Sequence, residues 1–188
     1  AGKPLVLEVP RAAARLIDYH PRRSVLENGL RVIHERRPDT NVVALELYID
    51  SGWMREAQPG VAALTGRLLD EGTRDRSALD LAAAIEDLGG SLETSSACVS
   101  LRIRKEDLAT AIEILADVVI RPEFPAEAVD WTKQRIIADI QGDQEDPAHQ
   151  AEALFRNLIY GSHPLGRDPR GTVKNVRSLT RDDVVAHH

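Results

Sequence analysis

Predicted strands and helices are segregated along this chain, and their order constrains the fold more than any other feature. Asn28-Gly29 separates two apolar-rich runs within residues 24–35, which strongly indicates a β-hairpin. Residues 42–49 alternate apolar and polar side chains and predict a third strand. Two helices, two more strands and then only helices follow. Because strands that are neighbours in sequence pair as hairpins, we expect an α+β fold with an antiparallel-rich sheet and helices packed on one face.

The later elements are bounded by residues that commonly begin and end helices. Ser77 and Asp80 form a capping-box-like pattern, and the acidic residues before Pro147 suit a helix N-terminus. The helices are predicted over 60–71, 77–88, 106–119, 125–141 and 147–160, with a last one from Arg181, and the second pair of strands over 91–96 and 98–104.

The composition excludes several classes of protein. The chain has 188 residues, 43% of them apolar and only 4% aromatic, so its core must be aliphatic. A net charge of -6 argues against a nucleic-acid partner, and no apolar run is long enough for a membrane span. The single cysteine, Cys98, excludes an internal disulfide. Only four of the 24 basic residues are lysine, which suggests a GC-rich bacterial source. We expect a soluble protein, and periplasm and cytoplasm both stay open as its compartment.

The helix over residues 60–71 has well-defined predicted ends. Pro59 and Gly60 suit its first turn, and Gly72 suits the left-handed residue that follows a helix. Positions three and four residues apart share one face of such a helix.

Three positions on one face of this helix have the spacing of a zinc-binding motif. His, Glu and His at positions 63, 66 and 67 would supply two zinc ligands and a base for the attacking water. The chain instead has Ala63, Gly66 and Arg67, and none of these side chains binds a cation. Arg67 would repel one, since its guanidinium stays protonated.

Six segments, in this order, resemble the pitrilysin/insulinase family of zinc metallopeptidases, with its processing-peptidase-like domains. The resemblance spans about residues 24–188 and rests on segments 26–32, 51–56, 60–73, 89–93, 121–124 and 160–166. Active members of the family place His-x-x-Glu-His on the first helix and a third zinc ligand, a Glu, in a later helix. Asp139 falls at or near that third position.

The resemblance implies that all four of these positions are degenerate. Asp139 is the only carboxylate among them, and its side chain is shorter than that of Glu. It is therefore better suited to an ion pair with Arg67 than to a metal. The alternative is that Arg67 and Asp139 separately face solvent or the wall of a cleft.

The resemblance also implies a function without catalysis. The family pairs active with degenerate halves, so we expect no catalytic residue and no zinc on this chain. Its partners would be an active zinc-bearing homologous subunit or domain and an extended peptide held against a sheet edge. Residues 1–22 would form an N-terminal arm and residues 23–188 the first domain of a two-domain half-molecule, truncated at its C-terminus.

Two other functions stay open at this point. The chain could be a working metallopeptidase with an unusual site built from Asp139, His149, Glu152 or Glu71. It could also be an assembly scaffold that binds no peptide. The family consists of zinc metalloendopeptidases, yet the chain by itself is expected to be inactive.

Overall fold

The computed structural model describes residues 20–188 of the chain. They belong to two compact units, Ala1–Thr40 and Asn41–His188. Most of the predicted N-terminal arm, residues 1–22, lies outside the described residues. The assignment of residues 23–188 to a single domain remains a proposal.

The first unit contains the predicted hairpin. Strands β1 (Arg22–Val25) and β2 (Arg31–His34) pair antiparallel, with Val25 opposite Arg31. In the connection between them, the Asn28 side chain accepts a hydrogen bond from the Leu30 amide at 3.1 Å. Gly29 has a φ of 86°, a conformation that glycine adopts without strain. The Asn-Gly signal therefore identified the turn correctly.

The second unit contains a three-stranded antiparallel sheet. Its strands are β3 (Val42–Tyr48), β4 (Ser91–Thr94) and β5 (Cys98–Arg104), in the order β3-β5-β4. Along the central strand β5, Val99, Leu101 and Ile103 are buried, whereas Arg102 and Arg104 are exposed. One face of the sheet therefore packs against the core and the other does not.

Helices supply the rest of the core of the second unit. They are α1 (Val61–Leu68), α2 (Ala78–Asp87), α3 (Leu108–Ile120), α4 (Ala126–Glu145), α5 (Pro147–Tyr160), α6 (Val173–Ser178) and α7 (Arg181–His187). Leu64 of α1, Ile114 of α3 and Ile136 of α4 are buried in one cluster with Leu101 of β5. The fold is α+β with an antiparallel sheet, as predicted.

Helix α1 ends at Leu68, three residues earlier than predicted, and a buried carboxylate holds the segment at residues 73–76 that comes after it. The side chain of Asp117, at the end of α3, is fully buried and accepts a hydrogen bond from Thr73 Oγ1 at 2.9 Å. It also accepts from Arg76 at 2.6 Å and Arg121 at 2.9 Å. Burial alone would raise the pKa of Asp117, but these hydrogen bonds outweigh it and hold the pKa below its ordinary value.

Helix α6 was not predicted from the sequence. Its six residues are too few to show a helical period, so its only local signal is the cap. The Thr172 hydroxyl accepts from the Asn175 amide at 3.2 Å, and the Asn175 side chain accepts from the Thr172 amide at 3.1 Å. This is a capping box with Asn in place of the usual Glu or Gln.

Candidate functional site

A buried carboxylate positions the N-terminus of α1. The side chain of Glu56 is fully buried and accepts a hydrogen bond from the Ala62 amide at 3.0 Å. Its other oxygen lies 2.9 Å from Arg167 Nη2, which also donates to the Trp53 carbonyl at 2.8 Å. A negative charge is favourable at a helix N-terminus. Two of the segments that carry the family resemblance, 51–56 and 160–166, are thus joined at the start of α1 through Glu56 and the neighbouring Arg167.

Sequence reasoning had identified the segments around Glu56 and Arg167 but not the roles of these two residues. A usable signal exists: an acidic residue lies a few positions before a Pro-Gly helix start. The partner, Arg167, is more than a hundred positions away, so no local pattern could have found it.

Gly66 lies directly against the turn between β4 and β5. A Cβ atom at position 66 would lie 2.4 Å from the Ser95 carbonyl carbon and 2.6 Å from the Ser96 amide nitrogen. Such distances are far below van der Waals contact, and the atoms approached belong to the backbone, which cannot rotate away. The position therefore has no room for any side chain, and a glutamate there would meet the same backbone atoms.

Arg67 and Asp139 form an ion pair between α1 and α4. Arg67 Nη1 lies 2.7 Å from Asp139 Oδ2, with side-chain exposures of 37% and 46%. The two side chains are therefore in contact and do not face solvent separately. Ion pairs this exposed contribute less than about 1 kcal/mol to stability, so this one has little effect on folding. Arg67 does balance the charge of Asp139, which is the only carboxylate among positions 63, 66, 67 and 139.

The side chains at this site do not fit zinc. A catalytic zinc needs three nitrogen, oxygen or sulfur ligands from the protein. Among Ala63, Gly66, Arg67 and Asp139, only Asp139 offers one, and it is paired with a guanidinium. Among residues 20–188, moreover, no three His, Cys, Asp or Glu side chains are grouped so that they could hold a metal ion.

The alternative metal site does not assemble either. His149 Nδ1 lies 2.7 Å from Asp146 Oδ2, and Glu152 Oε1 lies 3.8 Å from Arg156 Nη1. Both are local contacts, three and four residues apart, at the N-terminal cap of α5 and along the helix. The structure does not bring the four candidate side chains into one metal-binding group: Glu71, Asp139, His149 and Glu152.

The His149 contacts lead to a prediction about its protonation. The hydrogen bond to Asp146, and then the charge of Asp143, raise the pKa of His149 above its ordinary value of about 6.5. The ion pair between protonated His149 and ionised Asp146 therefore stabilises the fold below about pH 6.5. This stabilisation is lost as the pH rises through the raised pKa of His149.

An NMR titration of the His149 ring should give a midpoint above 6.5, and Asp146→Asn should lower that midpoint. Asparagine still caps a helix, so α5 should begin as before. A wild-type midpoint at or below 6.5 would contradict the ion pair.

Within residues 20–188, the helices are all too short or too polar to cross a membrane.

Comparison with known proteins identifies the family of this chain. The sequence model of the insulinase family, peptidase family M16, matches residues 31–172. An uncharacterized zinc protease of Streptomyces coelicolor is 32% identical over 170 residues, which cover 87% of this chain and 37% of the relative. The beta subunit of the mitochondrial-processing peptidase of Saccharomyces cerevisiae is 28% identical over 172 residues, with coverages of 87% and 37%.

A solved structure shares the fold. The crystal structure of a peptidase M16 inactive domain from Pseudomonas fluorescens superposes with a TM-score of 0.84 at 24% identity, covering 89% of this chain and 42% of that one. The chain spans well under half the length of these proteins. With a family match over most of its residues and a relative above 30% identity, the chain belongs to the insulinase family, peptidase family M16.

Proposed function

We propose that this domain is a non-catalytic member of its family, which holds substrate for, or structurally supports, an active zinc-bearing homologous subunit or domain. The observation that carries the proposal is the set of side chains at the zinc-helix positions. Ala63, Gly66 and Arg67 replace two metal ligands and the base, and Asp139 is paired with Arg67 at 2.7 Å. Zinc-dependent peptide hydrolysis needs a water activated on the metal, and these four positions offer only one possible metal ligand, the carboxylate of Asp139.

The packing of Gly66 supports a loss of the zinc site that involves the backbone as well as the side chains. If only the side chains had changed, the space around position 66 would still admit a carboxylate. Instead the Ser95-Ser96 backbone occupies that space. At the proposed former site the helix is present, but the backbone of Ser95-Ser96 fills the space that a side chain at position 66 would need.

A sheet edge next to α1 suits the holding of a peptide. Strand β4 is at the edge of its sheet, so only one side of its backbone is paired within that sheet. It is also next to α1, because Thr94 Oγ1 donates to Asp70 Oδ1 at 3.4 Å and the turn after β4 touches Gly66. An extended peptide can add to such an edge as a further strand. We propose β4 as that edge, in a domain that is the first of a two-domain half-molecule.

One related structure supports a non-catalytic role, and one relative supports assembly with a second subunit. The solved Pseudomonas fluorescens neighbour is described as an inactive domain, and the yeast relative is one subunit of a processing peptidase. By analogy, the chemistry would lie on a partner that carries zinc. The scaffold alternative shares all of these features except affinity for peptide.

Fluorescence anisotropy with labelled ten-residue peptides tests the proposal. A peptide library should bind the purified domain, and the same peptides N-methylated at alternate residues should bind much more weakly, because strand pairing needs their amide donors. No cleavage should occur, either with added zinc or with a chelator.

The outcomes separate the three functions. Binding without cleavage is the result expected for a substrate-holding domain. Absence of peptide binding, both alone and with an active homologue present, would favour the scaffold. Cleavage that a chelator abolishes would overturn the proposal in favour of a working metallopeptidase.

A further inference from the structure

Strand β4, proposed above as the peptide-binding edge, carries one charged side chain, and that side chain is acidic. Glu93 is 68% exposed, and its Oε1 lies 3.5 Å from Nη1 of Arg102 on β5. No other residue between positions 88 and 101 is charged. Because Arg102 is itself 54% exposed, this ion pair is weak and leaves Glu93 able to pair with a second cation.

A second carboxylate lies beside β4 on its other face. Alternation along the strand puts Glu93 and Thr94 on opposite faces of the sheet. Thr94 Oγ1 donates to Asp70 Oδ1 at 3.4 Å, and Asp70, which follows α1, is exposed. Adjacent positions of β4 therefore place one accessible carboxylate on each face.

The end of helix α2 adds negative charge just before β4. Its last residues include Glu86 and Asp87, both exposed, and its last turn has no basic residue. Carboxylates are unfavourable at a helix C-terminus, where the macrodipole is already negative, and a nearby cation relieves this repulsion. Asp87 is only four positions before Ser91, the first residue of β4. A cationic ligand at the strand is therefore favoured from this side also.

The basic side chains around β4 do not offset this charge. Helix α1, helix α2 and strand β5 lead to β4, pair with it or touch its turn, and together they contain three basic residues. Each of the three is already in an ion pair with a carboxylate: Arg67, Arg102 and Arg104. The structure places no cation of residues 20–188 in an ion pair with Asp70, Glu86 or Asp87.

We infer that the β4 edge prefers extended peptides with basic side chains at two adjacent positions. The inference rests on the function proposed above and names the class of peptide. In a strand added to β4, the residue opposite Glu93 projects on the same face as Glu93. Its neighbour, opposite Thr94, projects on the face of Asp70. Opposite charges on facing strand residues attract, so adjacent lysines or arginines would meet one carboxylate on each face.

Matched peptides test the charge preference separately from binding itself. Three labelled ten-residue peptides would share their uncharged residues and differ only in a central Lys-Lys, Gln-Gln or Glu-Glu pair. In fluorescence anisotropy, the Lys-Lys peptide should bind about three- to tenfold more tightly than the Gln-Gln peptide, and the Glu-Glu peptide should bind most weakly. Raising the salt from about 50 to about 500 mM should reduce these differences, because exposed charges are screened.

Charge variants locate the preference at β4. The net charge of -6 by itself attracts cationic peptides, so a matched control is needed. The double variant Asp70→Asn with Glu93→Gln should bring the Lys-Lys and Gln-Gln peptides to within about twofold of each other. Its asparagine still offers Thr94 an acceptor. The control, Glu145→Gln with Glu152→Gln, removes the same charge from exposed positions on α4 and α5 and should leave the preference unchanged.

The outcomes distinguish this inference from the proposed function. Equal binding of the three peptides would overturn the charge preference while peptide holding stands. A preference that the β4 double variant leaves intact, or that the control reduces to the same extent, would also overturn it. Absence of binding by all three peptides would overturn both the preference and the holding of peptide at β4.

Discussion

Gly66→Ala is expected to destabilise the domain by about 2–3 kcal/mol, although alanine is the better helix former. The added Cβ would lie 2.4 Å from the Ser95 carbonyl carbon, so either α1 or the β4–β5 turn must move. The cost of that movement exceeds the roughly 1 kcal/mol that alanine gains over glycine within a helix. Urea unfolding followed by circular dichroism measures the difference.

Gly142 in α4 provides the matched control. It is exposed, and a Cβ there would have no atom within 4 Å. Gly142→Ala should therefore stabilise the domain by roughly 0.5–1 kcal/mol. If Gly66→Ala were stabilising to a similar degree, the close approach of the turn to α1 would be wrong, and with it the claim that position 66 has no room for a carboxylate.

Glu56→Ala is expected to cost about 3 kcal/mol, which is a large fraction of the stability of a domain this size. The change leaves the Ala62 amide without its acceptor and Arg167 without its counter-ion, both near the buried start of α1. Glu56→Gln keeps the shape and one acceptor oxygen, so its cost should be smaller. Urea unfolding of the three proteins gives the order.

Arg55→Ala serves as the control for the neighbouring position. Arg55 also forms an ion pair, at 3.0 Å from Asp50, but the two side chains are 67% and 82% exposed. Removing such a pair should change stability by less than about 0.5 kcal/mol. If Glu56→Ala and Arg55→Ala had equal effects, Glu56 would not be what positions α1.

Local patterns predicted most of the fold. Alternation of apolar and polar side chains identified β3 and β5, and the Asn-Gly turn identified the hairpin, because both signals depend only on neighbours in sequence. The end of α1 was misplaced by three residues, and the contact that holds the segment after it joins Thr73 to Asp117, 44 positions away, where no local pattern reaches. Helix α6 was too short to show a period.

The candidate site was predictable in its positions and not in its packing. The helical spacing and the family resemblance identified positions 63, 66, 67 and 139, and the structure places Arg67 and Asp139 in contact. Sequence reasoning treated Gly66 only as a missing carboxylate. Its contact with the Ser95-Ser96 backbone depends on how α1 meets the β4–β5 turn, and nothing in the sequence around either segment encodes that distance.

Three sets of contacts hold α1 in place. Glu56 and Arg167 anchor the start of α1, Gly66 packs its middle on the turn after β4, and Arg67 joins it to α4. Of these contacts, that of Gly66 is the one beside the β4 edge. In the function proposed above, α1 would form one wall of the peptide-binding surface.

The most direct test of the proposed loss of the zinc site is the amount of zinc that the chain retains. The purified protein would be equilibrated with excess zinc, exchanged into buffer containing a chelator of micromolar zinc affinity, and measured by elemental mass spectrometry. We expect far less than one zinc per chain, because the zinc-helix positions offer only the carboxylate of Asp139. One zinc retained per chain, and lost in Asp139→Asn, would contradict the account.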